Sequence, residues 1–179
     1  MDERLQAVVD HYEITQTLKE YCLGCDRCDE ERMASVYLAD SWDDHGLFKA
    51  AGPEFAKLMT ARIMSTTHSL FHMLGQTSIN VTGNEAGAET YFFAVSRDTR
   101  GDGAQMCNQL GGRFVDKLSR EDGRWRIKHR VVVRDWGISL AVEADWTAHA
   151  ELKDGQRSNA DPVFAALGLV HGGAGSSRA

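Results

Sequence analysis

Between Leu5 and Leu23 the apolar residues Val8, Val9, Tyr12, Ile14, Leu18, Tyr21 and Cys22 recur at helical intervals with charges between them, which predicts an N-terminal helix. Gly24 is expected to interrupt it. Asp29 suits the N-cap of a second, shorter helix through Met33, Val36, Tyr37 and Leu38. Ser41 to Phe48 reads as a short strand. Gly52-Pro53 then opens a third helix, Glu54 to about Met64, with Pro53 fitted to its first turn.

Beyond that point the pattern changes to strands, over about 69–82, 87–97, 104–119 and 124–136. Thr82-Gly83-Asn84-Glu85 and Arg120-Glu121-Asp122-Gly123 supply turn chemistry between the first and last pairs, and Arg97 to Gly103 reads as a longer hairpin loop. In the last strand Trp125, Ile127, His129, Val131 and Val133 alternate with Arg124, Arg126, Lys128 and Arg130. One face is expected in the core, and Arg126, Lys128 and Arg130 in water. Helices followed by a meander of strands predict an α+β fold, with the N-terminal helices packed on a curved, cone-shaped antiparallel sheet that encloses an apolar pocket. The domain is expected over residues 1–145. Residues 146–179 read as an extension serving as lid or interface segment, with a disordered tail at Gly172-Gly-Ala-Gly-Ser-Ser, and Trp136 to Trp146 as a lid over the pocket mouth.

A net charge of −6 argues against a nucleic-acid surface. The start, Met1-Asp-Glu-Arg, carries no signal-peptide pattern, and no apolar run approaches the ~20 residues needed to cross a bilayer. A soluble cytoplasmic protein without membrane contact is expected. Its four cysteines then read as thiols. Cys22, Cys25 and Cys28 resemble part of an iron–sulfur motif, but at helical spacing the first two fall on the apolar face with Leu18 and Tyr21 and read as packing. His68 and His72 have the spacing of a zinc pair, yet residues four apart on a strand lie ~13 Å apart. No metal and no cofactor is expected.

Asp26 and His72 carry the chemistry. An aspartate beside Tyr21, Cys22 and Cys25, and a histidine within Leu70-Phe71-His72-Met73-Leu74, are each costly to bury without a partner. If they meet, the product is an oriented general base in a dry pocket, with Phe71, Met73, Phe92 and Phe93 as expected apolar walls. Tyr21, Tyr91 or His45 would supply a proton to a leaving group. The plainer alternative has Asp26 capping the second helix or pairing with Arg27, and His72 as a satisfied core histidine.

Several stretches resemble the SnoaL-like branch of the nuclear transport factor 2-like superfamily: Tyr21-Cys-Leu-Gly-Cys-Asp26, Ser41-Trp-Asp-Asp-His45-Gly, Gly52-Pro-Glu-Phe, His72 on its strand, and Gly112-Arg-Phe-Val-Asp-Lys with Asp122-Gly-Arg-Trp125. The likeness covers roughly residues 5–137. It implies that Asp26 and His72 match the aspartate–histidine pair of scytalone dehydratase, hexachlorocyclohexane dehydrochlorinase and bile-acid dehydratases, in which histidine removes a proton from carbon. By the same resemblance Tyr21 and Arg134 match a tyrosine and an arginine of the bile-acid enzymes, and His45 falls where scytalone dehydratase has a tyrosine. Gly112 and Phe114 replace a serine and an asparagine of scytalone dehydratase, so that substrate is not carried over. The expected function is a cofactor-independent lyase for a small hydrophobic cyclic or aromatic substrate. His72 is the base, Asp26 its orienter, and Tyr21, His45, Tyr91 and Arg134 the substrate contacts. The alternatives are a non-catalytic small subunit of a ring-hydroxylating dioxygenase and an isomerase or polyketide cyclase. A homo-oligomer, dimer or trimer, is expected from the open sheet face.

Overall fold

Helix α1 (Glu3–Arg27) starts at Asp2, whose side chain accepts the Arg4 N–H at 2.8 Å. It runs straight through Gly24, where a break was expected. The glycine serves close approach instead, since a Cβ there would sit 2.7 Å from the Met33 backbone nitrogen. The helix ends at Cys28, left-handed at φ 52°, and the Asp29 N–H returns to the Gly24 carbonyl at 2.8 Å. The computed structural model describes residues 2–142, 148 and 150–172.

Asp29 caps α2 (Glu30–Ser35) as expected, accepting the Arg32 N–H at 3.1 Å. This helix is shorter than its apolar spacing suggests, because Tyr37 and Leu38 belong to strand β1 (Tyr37–His45). β2 (Phe48–Ala51) and α3 (Gly52–Thr66) follow. The meander is then β3 (Thr67–Thr82), β4 (Glu85–Thr99), β5 (Gln105–Glu121) and β6 (Arg124–Ala141).

The six strands form one curved, unclosed sheet in the order β2-β1-β6-β5-β4-β3. The meander is antiparallel throughout, whereas β1 joins β6 in parallel and turns back on β2. Ile14, Leu18 and Tyr21 of α1 and Phe55 and Ile63 of α3 share a core with Phe92, Phe114, Leu118 and Ile127 of the sheet. The fold is α+β.

One expectation for β6 is corrected. Leu118 lies opposite Ile127 but Lys117 lies opposite His129, so Lys128 is an extra residue in the ladder. This bulge exchanges the faces of the strand beyond it. Arg130 therefore turns inward and has no exposed surface, while Lys128 stays in water. Its guanidinium pairs with both Asp116 oxygens at 2.7 and 2.8 Å, and lies 4.3 Å from the Tyr21 ring centre and 4.2 Å from that of Phe114.

The chain then returns to the α1–α2 junction. Helix α4 (Pro162–Leu167) buries Phe164, and Asp161 pairs with Arg27 at 3.2 Å. The His171 Nε2 meets the Arg27 carbonyl at 2.9 Å, and the Gly172 N–H meets Asp29 at 3.1 Å. Of the expected lid, Trp136 to Ala141 is the end of β6, and residues 143–146 lie outside the described residues, as does the tail from 173. No described helix is long and apolar enough to cross a membrane.

Candidate active site

Asp26 occupies the last turn of α1, and α1 packs against β3, which carries His72. The two side chains meet. Asp26 Oδ1 lies 2.6 Å from His72 Nδ1, and Oδ2 accepts the His72 backbone N–H at 3.0 Å. With both carboxylate oxygens accepting, Nδ1 carries the proton and Nε2 of the neutral ring keeps a free lone pair. The backbone contact fixes the carboxylate, and the carboxylate fixes the ring. Both side chains are nearly buried.

His72 opens onto a cavity of about 670 Å³ between α1, α3 and the inner face of the sheet. Apolar walls come from Phe48, Met59, Ile63, Leu70, Met106 and Leu110, while Ser96, Asp98, Asn108 and Ser139 form a polar stretch. The walls are not those expected from apolar character alone. Phe71 and Met73 flank His72 in the strand, so alternation sends them to the outer face, where they are 52% and 55% exposed. Phe92 does point inward, its ring centre 6.2 Å from that of His72, whereas Phe93 stacks on Trp136.

Tyr21 and His45 also line the cavity, and the Tyr21 hydroxyl lies 3.2 Å from His45 Nε2. Burial holds the Tyr21 phenol well above its ordinary pKa, with nearby Arg130 opposing, so it stays a neutral donor. Tyr91 and Arg134 are not brought to this cavity. Tyr91 is 42% exposed, paired in register with Arg113, and Arg134 is exposed beside a second irregularity of the ladder at Gly111–Gly112.

Asp43 has no role of its own in the reading from sequence. It is fully buried and hydrogen-bonded to His45 Nδ1. The signal was present in the sequence, since positions 43 and 45 of a strand share a face and 44 does not. The cysteines behave as packing: Cys22, Cys25 and Cys28 are buried, and burial pushes the Cys22 thiol up to about 12. Among the described residues, no three His, Cys, Asp or Glu side chains converge as a metal-binding set.

The SnoaL-like domain family matches residues 6–131. The chain belongs to this family. It lies within the nuclear transport factor 2-like superfamily, and its structural neighbours agree. A provisionally named scytalone dehydratase from Novosphingobium aromaticivorans is 21% identical, with TM-score 0.67 over 77% of this chain and 92% of that one. The dehydrochlorinase LinA-type3 from Novosphingobium barchaimii is 18% identical, with TM-score 0.70 over 78% and 95%. A provisionally named aromatic ring hydroxylase from Novosphingobium aromaticivorans is 16% identical, with TM-score 0.67 over 74% and 94%. At such identities the SnoaL-like chain shares a fold with these proteins. No curated protein matches it.

Proposed function

We propose that this SnoaL-like protein is a lyase that removes a proton from carbon and expels a small group from a hydrophobic cyclic or aromatic substrate, without a bound cofactor. One observation carries the reading: Asp26 accepts both the ring and the backbone N–H of His72, leaving Nε2 on the wall of a largely apolar cavity. Nε2 takes the proton, and Asp26 stabilises the imidazolium that forms. Water kept off the walls strengthens both interactions. Tyr21 and His45 contact the substrate from the same cavity.

The test is hydrogen exchange in D₂O at the carbon beside the carbonyl, over a panel of cyclic β-hydroxy ketones, followed by NMR. His72→Ala and Asp26→Asn are each expected to lower exchange by about 10²-fold or more with the circular dichroism unchanged. Full activity in either variant would sink the dyad.

A second reading, a non-catalytic small subunit of a ring-hydroxylating dioxygenase, draws on the neighbour named as an aromatic ring hydroxylase. Co-purification with a larger iron–sulfur partner would favour it. An isomerase or cyclase would use the same base with no leaving group, and product analysis separates it from the lyase. We further infer that residues 1–145 form the SnoaL-like domain, that residues 146–179 are a C-terminal extension serving as lid or interface segment, and that copies associate through the outer sheet face.

A further inference from the structure

His45, on the cavity wall, belongs to a second aspartate–histidine pair, for which proton abstraction by His72 has no use. Asp43 and His45 share a face of β1. One Asp43 oxygen meets His45 Nδ1, and the other accepts the Tyr37 hydroxyl at 2.5 Å. The His45 ring stacks on Phe55 with centres 4.4 Å apart, and its Nε2 faces the Tyr21 hydroxyl. Tyr21 itself is held by the Arg130 guanidinium on one side and edge-on by Phe114, with centres 5.5 Å apart. A fully buried carboxylate is expensive to keep. This one, with Tyr37 and Phe55, fixes a titratable ring against a phenol on the wall that also carries His72.

We propose that Tyr21, backed by His45 and Asp43, protonates the departing group, and that the leaving group of the substrate is therefore a hydroxyl rather than a halide. This rests on the lyase reading above. A halide departs as a stable anion, whereas hydroxide is the conjugate base of a very weak acid and needs a proton as the bond breaks. The direction of the hydrogen bonds explains the part played by His45. With the ring neutral, Nδ1–H is held by Asp43 and Tyr21 spends its hydroxyl proton on Nε2. With the ring protonated, Nε2–H donates to the Tyr21 oxygen, and the phenol proton is free to face the cavity.

The elimination then balances. His72 Nε2 takes the proton, the C–H electron pair becomes the new C=C bond, and the C–O pair leaves on oxygen. That oxygen takes the Tyr21 proton and departs as water, and His45 returns a proton to Tyr21. His72 ends with one proton more and His45 with one fewer, and solvent resets both. Tyr21 is the catalytic residue of this half, and His45 and Asp43 position and recharge it. Arg130 beneath the ring stabilises the phenolate as it forms.

Two measurements decide. In ¹⁵N-histidine spectra of the whole chain, neutral His45 is expected as the Nδ1–H form. Tyr21→Phe should move its Nε2 resonance, and Asp43→Asn should abolish the tautomer preference, while the His72 signals stay in place. A neutral Nε2–H form, or no response to Tyr21→Phe, overturns the relay. The second measurement uses 3-hydroxy-1-tetralone, which loses water to give 1-naphthol, and γ-hexachlorocyclohexane, which loses chloride. Wild type should dehydrate the first. Tyr21→Phe and His45→Gln should lower that dehydration by about 10²-fold or more, and by a clearly larger factor than they lower deuterium exchange beside its carbonyl. Exchange and dehydration falling together in both variants would assign the phenol to the carbonyl oxygen and overturn the inference. Chloride release with no dehydration would do the same. Neither exchange nor loss of water or chloride in wild type would overturn the lyase reading itself, and this inference with it.

Discussion

Arg130 sits without exposed surface beneath Tyr21 and Phe114, its charge met by Asp116 and its Nη1 without a hydrogen-bond partner among the described residues. Burial works against its charge, but Asp116, together with Tyr37 and Tyr21, outweighs that and holds the guanidinium well above its ordinary pKa. Such a pair contributes little as a pair and much as a constraint, because each ion is tolerable only while the other is present. Arg130→Ala is expected to cost about 3–5 kcal/mol in urea unfolding, and Arg130→Met with Asp116→Leu far less. An equal loss in both would show that packing, not the stranded carboxylate, sets the cost. Asp26 and His72 were legible in the sequence at this scale, since each was an ionisable group without an obvious partner in an apolar stretch. Phe71 and Met73 were misjudged as walls because apolar character says nothing about which face of a strand a residue takes. The phase set by His72 does.

Among the elements, the turn-bounded ends of the meander strands could be read to within about two residues, but β6 runs on to Ala141, five residues past its expected end. The end of helix α1 could not be read, because a glycine looks the same in sequence whether it breaks a helix or admits a neighbour. At Gly24 the neighbour is α2. Gly24→Ala sets two effects against each other: helix propensity favours alanine by about 1 kcal/mol, while forcing a methyl against the Met33 backbone costs about 1–3 kcal/mol. We expect net destabilisation, read as a lower urea midpoint at unchanged slope, and a higher midpoint would mean that α2 shifts freely. The bulge at Lys128 was equally hidden, since it arises from pairing with β5 and not from any residue of β6. It is what places a cation beneath Tyr21.

For the whole molecule, the meander follows from local hairpins, but the parallel contact of β1 with β6 joins residues some ninety positions apart and leaves no trace in periodicity. The outer sheet face carries Phe71, Met73, Tyr91, Trp136, Ile138 and Leu140, all more than two-fifths exposed. A monomer rarely leaves such a face in water. Trp136→Lys and Ile138→Asp are each expected to lower the mass found by light scattering to that of one 19.8 kDa chain, with the circular dichroism retained. An unchanged mass in both variants would place any association elsewhere. The same sheet does not close, and among the described residues no strand pairs with the outer edge of β3. An edge strand exposes backbone amides that a foreign strand can use, and Asp26 takes the one at His72. A descendant that abandoned the reaction would still need an acceptor at that amide. An aspartate or asparagine persisting at position 26 after the histidine was lost would then be a guard on the sheet's border, kept by selection against sticking, and not a relic of chemistry.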